Sequence, residues 1–245
     1  MQSEEEAWIP DPGESTAYEQ NVRYRTNKIA EYVRGNWLDY GCADGGYAAG
    51  LLNVGAQHVT GVDVDPDRVA LAVARGLEGA EFHTIDGERL SFGDNTFDGA
   101  FVNEVMEHVK DEAAVLSELR RVLRPEGLLV VMSPNRWFPF EGHGIHLGKW
   151  KSGRPTPLVP WLPRRVSQPV MEARNYWPHE LEDLVRSAGF VIERTGFVWP
   201  VFERYDWLPD RVGNWYRVRV TRFDDFPVLR RLGVSTMIVA RAGVK

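Results

Sequence analysis

From Trp37 to Met132 the chain alternates short apolar runs with stretches whose apolar residues recur at helical spacing. Trp37–Tyr40, His58–Val62, Glu81–Ile85, Phe97–Asn103 and Leu128–Met132 are short and β-branched or aromatic, and polar or glycine residues bound them, so they read as strands. Between them, Gly45–Leu52, Pro66–Arg75 and Asp111–Leu123 read as helices, with Pro66 suited to a first turn. A helix over 16–33 is predicted ahead of them, capped by Ser15, with Tyr18, Val22, Ile29 and Val33 near one face. Beyond Pro134 the periodicity lapses: residues 134–177 are rich in Pro, Gly, Trp and basic groups. It resumes as a helix over Pro178–Ala188 closed by Gly189, a strand near 190–199, a helix over 209–231 and an apolar strand over 234–240. Such alternation predicts an α/β fold, a mostly parallel sheet with helices on both faces.

The chain of 245 residues suits one domain over 15–245, preceded by a flexible arm over 1–14. A stretch as long and aperiodic as 134–177 inside a domain reads as a lid or substrate-side insertion. The opening residues are polar and acidic, which predicts no secretory signal. No apolar run is long enough to span a bilayer. Cys42 is the only cysteine, so no internal disulfide can form and a cytoplasmic location is expected.

Charge refines this picture locally. The net charge of -6 argues against nucleic acid as a partner. Yet residues 136–177 carry seven Lys or Arg against two Glu, and residues 211–231 six Arg against two Asp. These segments would attract an anionic acceptor or make peripheral contact with an acidic membrane surface.

The candidate chemistry begins at Asp39-Tyr40-Gly41-Cys42-Ala43-Asp44-Gly45-Gly46, between a strand and a helix. Glycines there let the backbone turn and approach a ligand, and the helix start offers free N–H groups. Gly41, Ala43 and Gly46 fit a degenerate dinucleotide fingerprint. Asp63 ends the second strand, where a carboxylate can accept both ribose hydroxyls of an adenosine. Asp86-Gly87 ends the third, where a carboxylate can take the adenine amino group. Together they predict a crevice along the carboxyl edge of the sheet.

These residues resemble the motifs of class I S-adenosylmethionine-dependent methyltransferases. The likeness runs from Leu38–Gly45 through Gly61-Val62-Asp63, Asp86, Phe97-Asp98, Glu104–Val109 and Leu119–Gly127, over roughly residues 22–134. It is nearest to the subgroup of ubiquinone-biosynthesis O-methyltransferases. The resemblance implies a Rossmann-like fold with a seven-stranded sheet whose last strand is antiparallel, and S-adenosylmethionine as cofactor. It implies cofactor contacts at Arg25, Gly41, Cys42, Ala43, Gly45, Asp63, Val64, Asp86, Gly87 and Asn103. Two positions depart from the pattern. Ala43 replaces the middle glycine, which requires its φ to stay negative, and Glu126 replaces a turn glycine.

Transfer from a sulfonium needs in-line alignment, exclusion of water and, where the acceptor is protic, a base. Glu104, Glu107, His108, His143 and His146 are candidates, and His108, just beyond the fourth strand, is the residue assigned. Glu104-x-x-Glu107-His108 is also similar to a run that binds a divalent ion in small-RNA 2′-O-methyltransferases and some quinone methylases. His143 or His146 would have to complete such a site, and no metal is assigned. The acceptor expected is a small molecule or a lipid-like or glycan-linked compound methylated at oxygen; seven of the nine tryptophans lie beyond residue 133 and would wall a pocket that suits a lipid-like, quinone-like or glycan-linked one. Two other classes share these features. A nicotinamide-dependent oxidoreductase would use Tyr24-x-x-x-Lys28, and a non-catalytic binding protein would keep the fold without turnover.

Overall fold

The computed structural model describes residues 17–86, 89–142, 144–147, 150–152, 156–199, 226 and 228–243. The arm over 1–14, Gly87, His143 and most of the helix expected over 209–231 lie outside them. The first part of the chain forms α1 (Ala17–Asn27), β1 (Asn36–Tyr40), α2 (Gly46–Asn53), β2 (His58–Asp63), α3 (Pro66–Ala74) and β3 (Ala80–Thr84). There follow β4 (Phe97–Asn103), α4 (Glu112–Val122) and β5 (Leu123–Pro134). The insertion holds β6 (Phe140–Glu141), β7 (His146–Leu147), β8 (Trp150–Lys151), β9 (Thr156–Pro157) and α5 (Arg164–Ser167). The chain then builds α6 (Pro178–Ser187), β10 (Phe190–Val198) and β11 (Ser235–Ala242).

Seven strands make one sheet in the order β10-β11-β5-β4-β1-β2-β3, with β11 antiparallel to both neighbours and the rest parallel. The Rossmann-like class I methyltransferase fold expected from the sequence is the fold observed. Side chains alternate across the strands. Leu38, Val102 and Val131 pack on one face with Leu119 of α4 and Leu181 of α6. Trp37, Phe101 and Val130 pack on the other with Ile29, just beyond α1, and Leu51 of α2.

Three boundaries depart from the periodicity. α1 gives way after Asn27 to tighter turns, in which Ile29 N–H donates to the Thr26 carbonyl at 3.1 Å and Tyr32 N–H to the Ile29 carbonyl at 2.9 Å. The Thr26 hydroxyl donates to the Val22 carbonyl at 2.9 Å, a local bond that competes with the helical ladder. β5 begins at Leu123 rather than Leu128, because Leu123 pairs with Phe97 before the register shifts through a turn with Glu126 at φ 63. The insertion is built from two-residue strands, β6 with β9 and β7 with β8, too short to leave a period in the sequence.

Candidate active site

Chain direction fixes where the site lies. From β1 the chain moves outward through β2 to β3, and from β4 it moves the other way through β5. β1 and β4 therefore flank the switch point, where open α/β sheets bind ligands beyond the strand ends. Tyr40 pairs with Val62 and with Val102, which sets Gly41 beside both Asp63 and Asn103.

Gly41 turns the chain at φ 81, and its N–H donates to the Val62 carbonyl at 2.8 Å. A β-carbon there would overlap the Val105 side chain, so the glycine is required by both conformation and space. Gly45, at φ 79, ends the loop as the N-cap of α2. Ala43 has φ 47, in the left-handed region, which corrects the negative φ required of it from the sequence. The Ala43 N–H donates to Asp63 Oδ2 at 2.9 Å, and this bond holds the loop in the turn that glycine would otherwise make easy. Cys42 is buried, its thiol pKa raised first by that burial and then by Asp39 and Asp63.

The acidic positions are held in different ways. Asp63 is buried, with Oδ1 accepting from Asp65 N–H at 3.0 Å. Asp65, not Asp63, caps α3. A carboxylate has about four acceptor positions. Two remain on Asp63 after the bonds from Ala43 and Asp65, enough for the two hydroxyls of a ribose. Val64 follows with its side chain 64% exposed. Asp86 lies two residues past β3, in a cleft of about 690 Å³ lined also by Thr84, Ile85, Arg89 and Phe92.

Asp39 stands in the motif read from the sequence, which gave it no role of its own. It faces α2 from β1, is fully buried, and its Oδ2 has no hydrogen-bond partner. Burial, then the neighbouring Asp63 and Asp44 carboxylates, push its pKa up to about 7. Asp44 in the loop accepts from the Tyr18 hydroxyl at 2.8 Å and pairs with Arg75. Tyr18 thus ties α1 to the glycine loop, a link between residues 26 apart that periodicity does not carry.

Arg25 and Asn103, assigned separately from the sequence, meet: Arg25 Nη1 donates to Asn103 Oδ1 at 2.7 Å. Arg25 is buried, and the same nitrogen donates to Glu104 Oε1 at 2.7 Å while Nη2 donates to Ser235 Oγ at 3.0 Å. One guanidinium so joins α1, the end of β4 and the start of β11. Glu104 has φ 55 and turns the chain sharply out of β4. Glu107 is buried and accepts from Ser133 Oγ at 3.3 Å; burial and then the Glu104 carboxylate push its pKa well up. His108, next in the chain, is exposed. Ser133 and Ser235 had no signal in the sequence. Among the described residues, no group of three or more His, Cys, Asp or Glu is placed to hold a metal ion, and His143 lies outside them.

Of the Tyr24-x-x-x-Lys28 pair, Tyr24 lies on the core side of α1 and Lys28 just beyond its end. Tyr24 is buried, its hydroxyl accepts from Trp199 N–H at 3.3 Å, and Lys28 stacks on its ring. Neither residue reaches the crevice through these contacts.

A loop of left-handed residues at a switch point, with one carboxylate at the end of β2 and another just past β3, fits an adenosine-bearing cofactor. Fold and loop are similar to those of class I S-adenosylmethionine-dependent methyltransferase domains. Residues 38–131 match the family model described as a methyltransferase domain. The chain is 28% identical over 165 residues to the ubiquinone biosynthesis O-methyltransferase of Cereibacter sphaeroides, covering 66% of this chain and 62% of that protein. It is 29% identical over 181 residues to the 2-methyl-6-phytyl-1,4-hydroquinone methyltransferase of Synechocystis, covering 73% of this chain and 51% of that protein. It therefore spans between half and two thirds of the length of these relatives. Among solved structures, an S-adenosylmethionine-dependent methyltransferase of Mesorhizobium loti has a TM-score of 0.60 at 18% identity, covering 89% of this chain and 95% of that one. That likeness shows a shared fold.

Proposed function

We propose that the protein transfers a methyl group from S-adenosylmethionine to a hydroxyl oxygen of a lipid-like, quinone-like or glycan-linked acceptor. The observation that carries the reading is Asp63, fixed by the Ala43 and Asp65 N–H groups with acceptor positions to spare at the switch point. The relatives named for O-methylation and for a hydroquinone support the acceptor class. When bound, the cofactor supplies a methyl group on a sulfonium, already a good electrophile.

The residues of this chain bind and position. Asp63 accepts the ribose hydroxyls, with Val64 beside it. Asp86 and Gly87 take the adenine end, and Gly41, Cys42, Ala43 and Gly45 cradle the cofactor with backbone. Arg25 and Asn103 bound the crevice at the end of β4, with Arg25 assigned to the cofactor carboxylate. Residues 134–177 cover the acceptor side and exclude water. His108 takes the acceptor proton, since it is exposed beyond β4, whereas Glu104 is engaged by Arg25 and Glu107 is buried away from solvent. A cytoplasmic location agrees with a single, buried cysteine.

Labelled methyl transfer to a panel of catechols, hydroquinones and polyprenylated phenols tests this function. Turnover on a hydroxyl acceptor is expected, and His108→Gln should lower kcat by about 100-fold while cofactor affinity holds. Cofactor binding without transfer to any hydroxyl acceptor would contradict O-methylation. An unchanged kcat in His108→Gln would remove that histidine as the base.

A further inference from the structure

The seven-stranded sheet ends in β10 on one side and in β3 on the other. An edge strand offers unpaired N–H and C=O groups to another chain, and proteins blunt unused edges with bulges and charges. β10 is blunted in this way: its register shifts between Ile192 and Arg194, and Glu193 and Arg194 are exposed along it. β3 is not. It pairs with β2 in unbroken register from Ala80 to Thr84 and carries neither proline nor lysine. Bonds at its two ends set which way its backbone points. Val59 N–H donates to the Gly79 carbonyl at 2.9 Å, and Ile85 N–H donates to the Asp63 carbonyl at 3.0 Å. Residues of odd number therefore turn their backbone groups toward β2, and Phe82 and Thr84 turn theirs outward. No described residue bonds to those outward groups.

That edge is complementary to itself. When two copies pair antiparallel about a twofold axis at Phe82, the two Phe82 residues exchange N–H···O bonds. Each Thr84 N–H then meets the Ala80 carbonyl of the other copy. In the same register each Glu81 stands opposite His83 of the other copy, in a non-hydrogen-bonded pair where side chains come closest. A dyad one residue to either side would instead set Glu81 against Glu81 or His83 against His83. Both side chains are exposed on one face of β3, where Glu81 Oε1 lies 3.5 Å from His83 Nε2 of its own chain. Thr60 Oγ1 donates to Glu81 Oε1 at 3.2 Å, and the His83 ring packs edge-on against Phe92, so both groups are already directed. Gly79, at φ 81, turns the chain away ahead of β3 and limits the pairing to five residues.

α3 adds a second layer to the contact. It connects β2 to β3 and buries Val69 and Ala72, and Ala72 and Phe82 both border Gly45. Arg75 pairs with Asp44 of the glycine loop, so that flank of α3 faces inward along the sheet. Val73, two residues earlier and about 200° round the helix, lies on the opposite flank with Ala70 and Ala74. All three are exposed, Val73 by 58%. Across the dyad the two α3 helices would lie two strand spacings apart, about 10 Å. Helices with small side chains at the contact pack at about that separation.

We propose that β3 is a dimerisation edge, at which a second copy of this chain continues the sheet with Glu81 and His83 paired across the dyad. The proposal stands apart from the methyl-transfer reading, because association is measured without turnover. Sedimentation velocity of the full chain tests it at concentrations up to about 100 µM, above the micromolar constant expected of a small interface. Wild type should pass from monomer to dimer over that range. Thr84→Pro removes an outward N–H at an edge where proline is tolerated, and should weaken association by at least about tenfold. Val166→Ser, in the insertion, should leave it unchanged. Glu81→His and His83→Glu should each weaken it by about fivefold. An equimolar mixture of those two variants should associate as wild type does, because each carboxylate again meets an imidazole. Thermal melting identifies any variant that has lost its fold rather than its partner. The proposal is overturned if wild type stays monomeric throughout, if folded Thr84→Pro dimerises as well as wild type, or if the mixture associates no better than its components.

Discussion

Asp39 and Ala43 hold the glycine loop in unfavourable states, one electrostatic and one conformational. Asp39 is buried at the end of β1 with its pKa pushed up to about 7. A folded-state pKa raised above the unfolded value means that the native protein binds more protons between pH about 4 and 7, so stability falls as pH rises through that window. Asp39→Asn should abolish this slope: in urea titrations at pH 5 and 8, wild type should lose stability at the higher pH and the variant should lose much less. An equal loss in both would show that Asp39 is not the titrating group. Ala43, at φ 47, occupies a region that costs a non-glycine residue about 1–2 kcal/mol. Ala43→Gly should relieve that strain at the expense of a more flexible unfolded chain, for a net gain of about 0.5–1 kcal/mol by denaturant titration. The sequence shows the substitution at this position but not its φ, which is fixed by a hydrogen bond to Asp63, 20 residues away.

Elements meet through side chains as well as through the sheet. Arg25 links α1 to Asn103 and Glu104 at the end of β4 and to Ser235 at the start of β11. Arg25→Gln removes the cation from a largely buried pair and leaves Glu104 without it, which should cost about 3 kcal/mol and lower Tm by about 6–12 °C. A melt within a degree or two of wild type would show that the network is not structural. The strands and the glycine loop were legible because their cues are local: a period of two, a helix start, an acidic residue at each strand end. Arg25 and Asn103 were each legible by resemblance, yet their contact, 78 residues apart, was not. Ser235 was illegible altogether, since a serine opening an apolar strand has no local signature and its partner lies 210 residues earlier. The insertion was legible only as an absence of period, because two-residue strands and short turns are held by backbone bonds that any sequence can make.

At the scale of the whole molecule, the sheet supplies a switch point and, at β3, a free edge. The order β10-β11-β5-β4-β1-β2-β3 brings the ends of β1, β2 and β4 to one edge. A fold of this kind hosts many chemistries, so the function rests on the site. Its central feature is the buried Asp63 carboxylate beside the left-handed loop. Calorimetric titration with S-adenosylmethionine and S-adenosylhomocysteine, with NADH as control, tests it most directly. Binding of both sulfur ligands to wild type is expected, with a loss of about 100-fold or more in Asp63→Ala, since hydrogen bonds to a charged group contribute about 1.5–3 kcal/mol each. Binding of NADH in their place, or unchanged affinity in Asp63→Ala, would contradict the account.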